Sequence, residues 1–187
     1  MNQKPWLDSY DAGVTSTINI DAYASLAGMF EEAFETYADR VATSSMGKDM
    51  TYAQWGKYSE HIGAWLQQLG LQKGDRVAIM MPNCTQYPIL VAAILRAGYC
   101  VVNVNPLYTA TELTHQLNDS NAKAIFILEN FAATLQHALP ELKQLKHIVV
   151  SSLGDMLGLK GHIVNLVVRK IKKMVPDWQI DDTTSFK

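Results

Sequence analysis

Asn83, Thr85 and Gln86 are the side chains whose types and setting come nearest to a ligand site. They follow the apolar run Arg76 to Met81, and open α/β sheets bind ligands just past the carboxyl ends of their strands. Two amides and a hydroxyl there could hydrogen-bond something polar. The plainer reading, which is preferred, is that Pro82 makes a turn and that Asn83 or Thr85 caps the next helix. A dinucleotide site would need GxGxxG at this turn, so that backbone can approach a pyrophosphate, and Met81-Pro82-Asn83-Cys84-Thr85 contains no glycine. GxxxxGK[ST] occurs nowhere in the chain, which excludes a P-loop.

The other reactive residue types are scattered. His61, His115, His137, His147 and His162 show neither HxxxH nor HExxH spacing, so no zinc site is expected. Cys84 and Cys100 form no CxxC pair, sit near apolar segments and read as core residues in a reducing compartment. No serine lies in a GxSxG elbow, which leaves no case for a hydrolase. A net charge of −2 gives no global field that would draw nucleic acid. This reading assigns no catalytic, cofactor-binding or metal-binding residue.

The elements that would position such groups are legible. A chain of 187 residues with 48% hydrophobic content can bury one sizeable core. Its charged fraction of 18% is below the roughly 25% that is typical, which fits ordinary scatter and equally fits surface owed to a partner, a membrane or further sequence. Neither a signal-peptide core nor a run of about 18 apolar residues is present. Residues 1–24 read as an extended arm. Residues 25–151 read as an α/β unit. Leu26, Met29, Phe30, Ala33, Phe34 and Tyr37 have helical spacing, with Ser25 as N-cap. Val41 to Met46 and Met50 to Tyr52 would pair as a hairpin around a Gly47-Lys48-Asp49 turn. A second helix carries Trp55, Tyr58, Ile62, Trp65, Leu66 and Leu69 and stops at Gly70.

Apolar runs then begin at Arg76, Tyr99, Lys123 and His147, about one βα unit apart, with helical segments between them. The runs are continuous rather than alternating, as in strands covered on both faces. The fold class is therefore α/β, a mostly parallel sheet with flanking helices.

Residues 152–187 read as a basic amphipathic helix and a tail. Within Lys160 to Trp178, the apolar residues fall in an arc of about 140° at helical pitch, with Arg169, Lys170, Lys172 and Lys173 off that arc. Such a helix can lie on an anionic membrane surface or pack on protein. The residues read as membrane contacts are Ile163, Val167, Arg169, Lys170, Ile171, Lys172, Lys173, Met174 and Trp178.

Four stretches resemble the adenylate-forming superfamily, and within it the bacterial long-chain fatty-acid–CoA ligases. They are Met50-Thr51-Tyr52-Ala53-Gln54-Trp55, Lys73-Gly74-Asp75-Arg76-Val77-Ala78, Leu95 to Pro106, and Glu112-Leu113 through Asn118-Asp119-Ser120. Their order and spacing match across residues 25–151, and Trp55 departs from the leucine common in the first motif. The resemblance implies a portion of the family's large N-terminal domain, continuing beyond the chain. It implies a parent enzyme in which a carboxylate attacks ATP to give acyl-AMP, and coenzyme A then displaces AMP. ATP, Mg²⁺ and coenzyme A would serve that parent. The family's Ser/Thr/Gly-rich phosphate loop and its C-terminal lysine have no counterpart here, so the segment is expected to be an inactive scaffold. The implied partners are the remainder of the ligase and a fatty acid, with no nucleic acid, in the cytoplasm; the basic helix adds the inner face of the membrane as a candidate partner, and an apolar face left exposed on a fragment adds a second copy in a homodimer. The alternative is a non-enzymatic α/β adaptor module docking to a membrane by its last helix.

Overall fold

The computed structural model describes residues 4–187, so Met1 to Gln3 of the expected arm lie outside the described residues. From Lys4 to Ser25 the chain is exposed apart from the half-buried Leu7, with one short 3₁₀ turn at Pro5–Ser9. The first helix, α1 (Leu26–Thr36), starts where Ser25 Oγ accepts the Gly28 N–H. Strands β1 (Val41–Ser45) and β2 (Lys48–Thr51) form an antiparallel hairpin. Its turn is Met46-Gly47, shorter than expected, because Lys48 and Asp49 already pair with Ser45 and Ser44. Helix α2 (Tyr52–Gln67) opens on a capping box between Thr51 and Gln54. Gly70 follows at φ +74°, a conformation glycine adopts without Cβ strain.

Next come β3 (Arg76–Met80), α3 (Gln86–Arg96), β4 (Cys100–Asn103), α4 (Ala110–Asp119), β5 (Ala122–Leu128), α5 (Ala132–Ala138) and β6 (His147–Ser151). Helix α6 (Leu159–Leu166) and strand β7 (Thr183–Ser185) complete the order. The sheet order is β4-β3-β5-β6-β7, parallel throughout. The chain first steps from β3 outward to β4, then reverses to β5, β6 and β7. The switch point therefore lies between β3 and β5.

Alternate residues of the two central strands feed two cores, as the period of two requires. Val77, Ile79, Ala124, Phe126 and Leu128 meet Leu66 of α2 and Leu90 and Ile94 of α3. Ala78, Met80, Ile125 and Ile127 meet Leu113 and Leu117 of α4 and Leu135 and Ala138 of α5. Strand β4 departs from the expectation of full cover: it is an edge, and Cys100 is exposed rather than in the core. An apolar run alone cannot tell an edge from a centre.

At the start of α4, Thr109 Oγ1 accepts the Glu112 N–H, and Glu112 Oε2 accepts from both the N–H and the hydroxyl of Thr109. The backbone N–H, then the hydroxyl, holds the Glu112 carboxyl below its ordinary range. A carboxyl with a depressed folded value stabilises the fold above its unfolded value, and that contribution disappears as pH falls through the folded one. Urea titrations from pH 6 to pH 3 should therefore show a shallower stability loss in Glu112→Gln than in the parent chain. Equal pH slopes would contradict this role.

Candidate functional site at the carboxyl edge of the sheet

The ligand crevice of an open α/β sheet lies beyond the strand ends at the switch point. Here that place holds the turn after β3 and the Glu129–Phe131 3₁₀ turn after β5, with Ser151 and Ser152 alongside at the end of β6. Gln86 is fully buried and reaches across the end of β5. Its Nε2 donates to Ser152 O at 2.9 Å and Ser151 Oγ at 3.1 Å. Asp155 Oδ2 accepts the Ser152 N–H at 2.7 Å and the Ser151 hydroxyl at 3.1 Å. Glu129, 5% exposed, is bound by Arg169, whose Nε lies 2.9 and 3.0 Å from the two carboxylate oxygens and whose Nη2 lies 2.7 Å from Oε2. Nη2 also donates to Ser152 Oγ at 2.8 Å. Its hydrogen bond to Glu129 pushes the Arg169 guanidinium up from its ordinary value.

The ends of β5 and β6 are thus engaged by the chain's own residues. Arg169 reaches them from the segment 153–175, a strap leading from β6 toward β7. Gly154 and Gly161 pass backbone to backbone, and Asn165 Oδ1 accepts the Gly154 N–H at 2.7 Å. Leu157, Val164 and Val168 form a small core with Leu153 and Val175. Lys160 Nζ donates to Met46 O, and Asn130 Nδ2 donates to Met174 O.

The residues singled out at the β3–α3 turn behave differently from expectation. Thr85 has helical backbone and makes no side-chain cap. The buried Cys84 thiol lies there instead, facing the N–H groups of Tyr87 and Gln86, and burial raises its pKa. Asn83 is exposed beside a cleft of about 200 Å³ that the β1–β2 hairpin also lines. Gln86 is a tie between strands rather than a ligand group on open surface. Among the described residues, no three His, Cys, Asp or Glu side chains come together as a metal site.

The basic amphipathic helix is shorter than expected. After Leu166 the winding changes to π pitch over Val167–Ile171, with Lys172 N–H bonded to Val167 O, and Lys173 at φ +50° ends it. Pro176 gives the physical reason: its ring clashes with the carbonyl four residues back, and it disfavours helical backbone just before it. Trp178 is therefore off the helix and half-buried. Ile163, Ile171 and Met174 are exposed, Val167 is half-buried, and Lys170, Lys172 and Lys173 face water. Arg169 is turned to Glu129 instead of lying free on the basic face. The distal part of the ion pair, Glu129, carried no sequence signal because an acid after a strand has no distinctive spacing.

A model of the AMP-binding enzyme family matches residues 30–178. The chain belongs to the AMP-binding enzyme family. It is 50% identical over 187 residues to a long-chain-fatty-acid–CoA ligase of Salmonella typhimurium, covering 99% of this chain and 33% of the relative. Ligases of the same description from Haemophilus influenzae and Bacillus subtilis are 41% and 33% identical, the latter over 172 residues, covering 99% and 91% of this chain and 33% and 30% of theirs. The chain spans about a third of the length of these relatives. Two solved structures share the fold. An anthranilate CoA ligase in complex with anthranoyl-AMP gives a TM-score of 0.67 at 23% identity, covering 73% of this chain and 26% of that one. A Rhodopseudomonas palustris protein described as a putative long-chain-fatty-acid CoA ligase gives 0.64 at 24%, covering 69% and 33%. The α/β, mostly parallel fold of an adenylate-forming enzyme is thereby established, and the adaptor alternative finds no support among these relatives.

Proposed function

We propose that this chain is the scaffold part of a long-chain fatty-acid–CoA ligase, an AMP-forming acid–thiol ligase acting in the cytoplasm. The observation that carries the reading is the 50% identity with such a ligase along 99% of the chain. ATP, Mg²⁺ and coenzyme A would be the whole enzyme's cofactors and a long-chain fatty acid its substrate. The residues present do not fit a nucleotide or its metal. The β3–α3 turn lacks glycine, Glu129 at the end of β5 is paired with Arg169, and Asp155 is engaged by Ser152 and Lys187. This segment's task is to hold the sheet and its carboxyl edge in place.

The outer face of the strap belongs to the same proposal. Leu159, Ile163, Leu166, Ile171 and Met174 are each more than half exposed, next to Lys170, Lys172 and Lys173. Apolar side chains flanked by cations suit the headgroup region of an anionic membrane. No helix among the described residues is long and apolar enough to cross a membrane, so the contact would be peripheral. Transplanting residues 1–187 in place of the matching third of the Salmonella typhimurium ligase tests the enzyme reading. Retained fatty-acid–CoA ligase activity is expected.

A further inference from the structure

The strap is held to the body mainly by polar ties. Of its large apolar side chains only Leu157, Val164 and Val168 are buried, at 6%, 9% and 8% exposure, and they pack chiefly on one another. The ties to the body run from Lys160 to Met46 O, from Asn130 to Met174 O, from Asp155 to Ser151, Ser152 and Lys187, and from Arg169 to Glu129 and Ser152. The last is the closest pairing of opposite charges, with Arg169 Nη2 2.7 Å from Glu129 Oε2 against 3.7 Å between Lys187 and Asp155, and Nε adds contacts to both Glu129 oxygens.

That pair is asymmetric. The Glu129 side chain is 6% exposed and fixed at the sheet edge, while the Arg169 side chain is 47% exposed and rides on the strap. Nε and Nη2 are committed to Glu129 and Ser152, and among the described residues Nη1 has no protein acceptor. Arg169 also lies next in sequence to the cations of the outer face. A phosphate arriving there meets Lys170, Lys172 and Lys173 first and can then take the guanidinium in the bidentate manner that suits it. The π turn contains Arg169 itself, so the element that would move is also the one wound away from regular helix.

We propose that the Arg169–Glu129 pair is a latch on this strap: closed, it holds residues 153–175 over the sheet's carboxyl edge, and an anionic lipid surface that takes Arg169 opens it. The idea rests on the membrane reading above. A lipid can shift such an equilibrium only through its differential affinity for the two states, so weakening the closed state must strengthen lipid binding.

The test measures the full chain's affinity for vesicles of phosphatidylcholine with 30% phosphatidylglycerol, and hydrogen exchange at Glu129–Phe131 beneath the strap. Glu129→Gln should bind these vesicles about tenfold more tightly, as loss of a hydrogen bond between charged groups implies. Glu35→Gln, an equal charge change on exposed α1 away from the strap, should shift affinity less than about twofold, the scale of one screened surface charge. In the parent chain, phosphatidylglycerol vesicles should speed exchange at Glu129–Phe131, and pure phosphatidylcholine should not. If Glu129→Gln loses protection in β5 it has unfolded, and Ser152→Ala, which removes only the Nη2 tie, is then read instead, with about threefold tighter binding expected. Equal affinities for the substituted and parent chains, or slower exchange beneath the strap on vesicle binding, would overturn the latch and leave the membrane reading intact. No preference for the anionic vesicles would overturn the membrane reading itself, and the latch with it.

Discussion

Phe126→Ala should lower the unfolding free energy by about 3–5 kcal/mol, the usual range for deleting a buried phenylalanine. Phe126 lies on β5 at 2% exposure, in the middle of the sheet. Its ring meets Trp65 of α2 edge-on at 6.2 Å and Phe186, just after β7, at 6.5 Å. It therefore joins a helix, the central strand and the last strand in one contact. Val77, Ile79 and Val149 belong to the same core. Phe126→Leu keeps most of the volume and should cost about 1.5 kcal/mol or less. Urea unfolding followed by tryptophan fluorescence reads both changes. A loss below about 1 kcal/mol for the alanine variant would mean the core does not depend on this ring as its packing implies.

Gly161→Ala should disorder the strap internally while sparing the sheet. A Cβ on Gly161 would overlap Gly154 O and stand 2.8 Å from Gly154 C and 3.3 Å from its Cα. All three are backbone atoms, so no rotamer change relieves the clash. The reverse substitution at Gly154 meets the carbonyl of Gly161 and brings Asn165 Oδ1 within 2.6 Å. The cost should be about 3 kcal/mol, the upper part of the range for overpacking, and it falls on the strap's own small core. Hydrogen exchange should lose protection across residues 153–171 while β3 and β5 keep theirs. Gly70→Ala is the contrast: nothing lies within 4 Å of the added methyl, and only its left-handed backbone, φ +74°, carries a cost of about 1 kcal/mol. If Gly161→Ala leaves strap protection unchanged, the close crossing does not order the strap.

Much of this fold is legible because its signals are local. Thr109 and Glu112, three residues apart, announce a helix start that the structure builds as a reciprocal cap. The apolar runs at 76, 99, 123 and 147 become β3, β4, β5 and β6, each displaced by one residue at most. Strand β7 has no sequence signal because Thr183–Ser185 is short and polar, and only its pairing with β6 makes it a strand. The apolar periodicity of the basic segment runs on past Pro176, although the helix ends before it. The candidate site was the least legible. Gln86, Glu129, Ser152, Asp155 and Arg169 are spread over more than eighty positions, and only the sheet order brings them together. Thr85 sits where a cap should be, yet its helical backbone prevents it from capping.

The most direct measurement is the activity of the Salmonella typhimurium ligase carrying residues 1–187 of this chain in place of its own matching third. ATP, coenzyme A and hexadecanoate would be the substrates. Expected is kcat/KM within about tenfold of the parent ligase, a barrier change of about 1.4 kcal/mol, with the 187-residue chain alone giving no fatty-acid-dependent ATP–pyrophosphate exchange. A chimera that folds with a cooperative melt yet forms no acyl-CoA, or exchange catalysed by the chain alone, would contradict the assignment of this segment as a ligase scaffold.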